Sequence, residues 1–160
     1  MKPLCTVLAL ACALAIAVPV QASAQHVHGH AGHEAATEAP APAQRWIPDA
    51  PLRQGIRRAN TAVEQLRHYE MGHMSAAMAV DRAADVEAAV HFMFAHCKLS
   101  AEPDAALHGI LVPLLGAAQS LKANPGDVAA VATMREALAR YPHYFDDPGW
   151  DTPLPVVSDD

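Results

Sequence analysis

From Leu52 onward, apolar residues recur along the chain at spacings of three and four. Leu52, Ile56, Ala59, Val63 and Leu66 form the first such stripe, the period that sets side chains on one face of an α-helix. Asp49 stands just before it and is a favoured N-cap residue. Continued, the stripe meets Glu70, His73 and Ala77, which predicts one long helix with polar groups late on its buried face, stopping before Asp81. Asp81 is the expected cap of a second helix, whose stripe is Val86, Val90, Met93 and Cys97. Pro103 suits the first position of a third helix, where a missing N–H costs nothing. That helix carries Leu107, Leu111, Leu114, Ala118 and Leu121. Pro113 inside it predicts a kink, with Gly109 four residues earlier to ease the press of the ring.

Asn124-Pro125-Gly126-Asp127 reads as the start of a fourth helix: a capping residue, a proline, then an acid in the first turn. Its stripe is Val128, Val131, Met134 or Arg135, Leu138 and Tyr141, ended or bent by Pro142. Four amphipathic helices joined by short turns predict an all-α, up-down-up-down four-helix bundle. This single domain is expected over residues 46–145. Before it, residues 25–45 are rich in His, Ala and Pro with no apolar period, a composition expected to be disordered. After it, residues 146–160 form a Pro- and Asp-rich segment expected to be a loose acidic tail.

The start of the chain changes the chemical context. Met1-Lys2 is followed by an almost wholly apolar run from Leu4 to Val18, then Pro19 and the small-residue triplet Ala22-Ser23-Ala24. This is the pattern of a secretory signal peptide cut after Ala24, too short to span a bilayer comfortably. The expectation is a periplasmic protein of about 136 residues with no membrane span in its mature form. Removal of Lys2 with the signal takes the formal charge from −6 to −7. So acidic a surface is poorly suited to nucleic acid or anionic lipid.

Cys5 and Cys12 leave with the signal, so Cys97 is the one thiol of the mature chain. Exported proteins usually pair their thiols, and an odd one suggests intermolecular pairing, a reactive group or a metal ligand. Met93 lies one helical turn before Cys97, His96 beside it and His108 across the following turn. The expected topology brings His143 to the same end. Thiolate, imidazole and thioether together form a soft donor set that suits copper, above all Cu(I). Free Cys also packs as a small hydrophobe and Met as a flexible filler, so a structural role for these residues stays open. A second group, His68, Met71, His73, Met74 and Met78, is expected at the opposite end, with His68, Met71, Met74 and Met78 stepping by three, three and four. Glu70 and His73 make one Glu-x-x-His pair, where a di-iron bundle needs two. His26, His28, His30 and His33 alternate along the N-terminal segment, a pattern that collects metal ions weakly.

Ala83-Ala84-Asp85-Val86, Leu107-His108-Gly109 and Tyr141-Pro142-His143-Tyr144 resemble the soluble b-type cytochromes that fold as periplasmic four-helix bundles. The resemblance covers residues 83–145. It implies an up-down-up-down bundle with haem b at one end, held by a Met early in the first helix and a His late in the fourth. His143 is near the latter position. Trp46 to Asn60 contains no Met, so Met93 or His108 would be the second ligand. Three functions therefore compete at this stage. The first is a copper-binding protein for homeostasis, buffering or delivery, working with metal ions and other envelope copper proteins. The second is a b-type haem electron carrier, and the third a non-metal envelope adaptor. No nucleophile, base and acid can be assembled from the spacings, so an enzyme is not expected.

Overall fold

A computed structural model describes residues 40–150. The signal segment, His26, His28, His30, His33 and residues 151–160 lie outside the described residues. The fold is all-α, with helices α1 (Ala50–Glu70), α2 (Ala76–His96), α3 (Ala101–Ala123) and α4 (Ala129–Ala139), followed by a single turn, α5 (Tyr141–Tyr144). Among the described residues the only extended pairing is one parallel bridge between Trp46 and Phe145.

The apolar stripes are buried except at Val128, which is exposed at the start of α4, and at Cys97, which is half-buried. Leu52, Ile56, Ala59, Val63 and Leu66 of α1 meet Val86, Val90 and Met93 of α2; Leu107, Leu111, Leu114, Ala118 and Leu121 of α3 and Val131, Met134 and Leu138 of α4 complete the core. Met134, not Arg135, is the inward residue of α4. Helix α1 packs on α2 and α4, and α3 packs on the same two. No polar or charged side chain among the described residues is fully buried, so burial of apolar area holds the helices together.

Several helix ends differ from the sequence expectation. Helix α1 stops at Glu70, ten residues early. Gly72 takes φ +74°, and the amide of His73 donates to His68 O (2.7 Å) while that of Gly72 donates to Tyr69 O (3.0 Å). This pair of bonds closes a Schellman motif, which needs a left-handed residue that glycine supplies without strain. Ser75 then caps α2 by accepting from the Met78 amide, so Asp81 lies inside α2. Helix α3 begins at Ala101, which places Pro103 in its third position, still within the turn whose amides have no helical acceptor. Asn124 closes a tight turn through Gly126 instead of capping α4, whose N-cap is Val128.

Pro113 does sit within α3. Its missing N–H leaves the Gly109 carbonyl without its helical donor. Arg140 fills the gap, donating from Nη1 to Gly109 O at 2.9 Å. The start of the expected acidic tail packs on the helices: the Tyr141 hydroxyl donates to Asp147 (3.1 Å) and Trp150 lies against the Tyr141 ring (4.9 Å between centroids). At the other boundary, Trp46 stacks on Tyr144 and Arg45 pairs with Asp146 at 3.0 Å.

Candidate metal-binding site

The Cys97 group forms around the start of α1. Cys97 follows the last residue of α2 and is half-buried, its amide donating to Met93 O at 3.0 Å. Asp49 reaches it from the N-cap of α1. One Asp49 oxygen accepts from the Leu52 amide (2.8 Å) and the other from the Lys98 amide (2.7 Å). The Cys97 thiol also donates to this carboxylate. Burial, the Asp49 charge and this hydrogen bond, with Asp104 adding to them, push the thiol up to about 12 from an ordinary value of 9.0. A carboxylate beside the sulfur thus favours the protonated thiol, whereas a soft metal binds the thiolate.

The other members of this group point to different tasks. Met93 is fully buried and its Sδ and Cγ pack into the space over Gly55 of α1. His96 is exposed, with its ring 4.7 Å from that of Phe92. His108 is exposed beside Phe94 (5.2 Å), and its Nδ1 donates to Asp104 O at 2.9 Å, which leaves Nε2 outward. His143 is exposed in α5. Among the described residues no three His, Cys, Asp or Glu side chains converge to hold a metal ion.

The second group is divided by the α1–α2 connection: His68 lies in the last turn of α1, Met71, His73 and Met74 in the connection, and Met78 in the first turn of α2. Met71 and Met78 are each 55% exposed. His68 and His73 are exposed and Met74 is half-buried. The corner that carries them is held firmly from both sides. The Schellman motif fixes the backbone from His68 to His73, and the Tyr69 hydroxyl donates to Pro125 O at 2.6 Å. Glu70, the acid nearest the corner, is paired with Arg135 of α4, which removes a hard oxygen donor from the soft groups around it. Gly72 and Ser75 were missed in the sequence, although a glycine and then a serine in succession are a helix-stop and helix-start signal. The roles of Asp49 towards Cys97 and of Arg135 towards Glu70 were not visible there, since each joins residues far apart in the chain.

Of the described helices, none is long and apolar enough to cross a membrane. Compared with models of known protein families, with curated proteins and with solved structures, the chain matches none of them.

Proposed function

We propose that this is an exported soft-metal-binding protein that takes up Cu(I) at the corner between α1 and α2, for buffering or delivery in the periplasm. The observation that carries the reading is the exposure of Met71 and Met78, 55% each, at the two sides of the α1–α2 connection that also holds His73 and Met74, with His68 in the last turn of α1. Methionine is ordinarily core filler. Two exposed thioethers with two exposed imidazoles at one corner form a donor set that prefers Cu(I) over hard divalent ions. Exposure also suits delivery, because an acceptor's ligands can approach a metal held at a surface corner. Met93 is committed to core packing against Gly55, which leaves the Cys97 group with fewer soft donors than this corner.

The scaffold in this reading is an up-down-up-down four-helix bundle. It is supported by contacts between successive helices: Asp49 at the start of α1 with Lys98 just past the end of α2, Glu87 in the middle of α2 with Lys122 near the end of α3, and Gly109 in the first half of α3 with Arg140 at the end of α4. The alternating His26, His28, His30 and His33 would gather ions near the protein, and the Met–His corner would retain them.

The test is an anaerobic Cu(I) competition titration against a chromophoric chelator, run on the mature chain. Replacing Met71, Met74 and Met78 together by Leu keeps volume and apolarity. It is expected to weaken Cu(I) binding about 100-fold, the equivalent of roughly 2.7 kcal/mol. Cys97→Ser is expected to leave the affinity unchanged. The reverse pattern would move the site to Cys97, and equal affinity in all three proteins would exclude Cu(I) binding by the helical body.

A further inference from the structure

A groove of about 350 Å³ runs between α1 and α2, away from both Met–His and Cys groups. That volume falls in the range of small-ligand clefts, roughly 300–1,000 Å³. Its buried methyl groups come from Ala62 of α1 and Ala89 of α2, with Ala88 exposed at its edge. Side chains this small on facing helices leave the space open. Two arginines stand on its walls, Arg58 and Arg82, on a chain whose formal charge is −6.

The two arginines differ in what they have left to offer. Arg82 is occupied: its Nη1 lies 3.1 Å from Asp85 Oδ2 and donates to Gln65 Oε1, also at 3.1 Å. Asp85 is thereby paired, which offsets part of its repulsion of an anion. Arg58 carries no ion pair or hydrogen bond among the described residues, and its guanidinium lies over the Phe92 ring, 5.1 Å from the centroid. The ring covers one face of the cation and orders it, while its N–H edge keeps its donors.

From this combination we infer that the groove binds a small organic carboxylate with a compact apolar body. The body would lie on the alanine methyl groups and the carboxylate would take a two-point contact from Arg58. A bare phosphate fits less well, since Arg82 is engaged by Asp85 and Gln65 and the Thr61 hydroxyl donates to Arg57 O, which leaves Arg58, among the described residues, as the one uncommitted cation of the lining. The length agrees as well: Arg58 and Gln65 are seven residues apart, about 10 Å along the helix, enough for an aromatic or short branched acid.

The experiment follows amide chemical shifts of the full mature protein during titration with benzoate, with neutral benzamide and inorganic phosphate as comparisons. Saturable shifts are expected at Arg58, Thr61, Ala62, Ala88 and Ala89. Arg58→Gln and the change from benzoate to benzamide should each weaken binding about tenfold, the usual worth of a hydrogen bond to a charged group. Ala88→Leu, at an exposed position on the edge of the groove, should abolish binding by crowding the groove with Arg58 still in place. Arg67→Gln, elsewhere on α1, should change nothing. Unsaturable or scattered shifts, equal binding of benzamide, tighter binding of phosphate, or unaltered affinity in Arg58→Gln would each overturn the inference.

Discussion

Single residues here derive their chemistry from neighbours distant in the chain. Gly55 is the clearest case. Alanine is usually the better helix residue by about 1 kcal/mol, yet a Cβ at position 55 would stand 2.2 Å from Met93 Cγ and 2.8 Å from its Sδ. Gly55→Ala is therefore expected to destabilise the protein by about 1–3 kcal/mol through overpacking, read as a lower urea midpoint. Met93→Ala in the same background should recover part of the loss relative to Met93→Ala alone. A midpoint raised by Gly55→Ala would show that Met93 can move aside freely. This contact also explains why Met93, a ligand candidate on spacing alone, is a packing residue: its partner lies 38 positions earlier, and periodicity within one helix does not reveal it. Cys97 teaches the same point with the opposite emphasis. Its isolation was legible, but the upward push on its thiol comes from burial and then from Asp49, which spacing identifies only as the cap of α1.

Among the elements, the apolar stripes were legible almost residue by residue, because a 3.6-residue period is imposed by the need to bury one face. Helix ends were less so. The stripe ran on through Glu70, His73 and Ala77 by coincidence of spacing, while the backbone followed Gly72 and Ser75, whose local conformational preferences cut across it. The break matters for the candidate site, since it turns a helical stripe of donors into an exposed corner. Within α3 the local defect at Pro113 is matched from another element, by Arg140. Arg140→Ala should cost about 1–2 kcal/mol, because it leaves the Gly109 carbonyl unpaired in a part-buried place. In a Pro113→Ala background, where residue 113 supplies its own N–H to Gly109, the same replacement should cost less. Equal losses by chemical denaturation in the two backgrounds would mean that Arg140 acts independently of the proline.

For the molecule as a whole, stability should depend on pH mainly at the alkaline side. Cys97 is raised from 9.0 to about 12, first by burial and then by Asp49; Tyr141 is also raised, by burial and then by Asp147. Both groups are neutral when protonated, so the unfolded chain releases their protons first as pH climbs. Their contribution is intact below about pH 9 and is lost as pH rises towards 12. Urea midpoints should fall between pH 8 and pH 10.5, and Cys97→Ser should flatten part of that fall; a slope unchanged by the substitution would assign it to other groups. The bridge that joins Trp46 to Phe145 has a mechanical meaning too. Its two strands are parallel, with Trp46 N–H bonded to Tyr144 O and Asp146 N–H bonded to Trp46 O. Tension applied through the two ends of the described chain draws these strands past each other lengthwise. Both bonds then bear load together, as in a lap joint, and the helices are shielded from the pull until that joint slips.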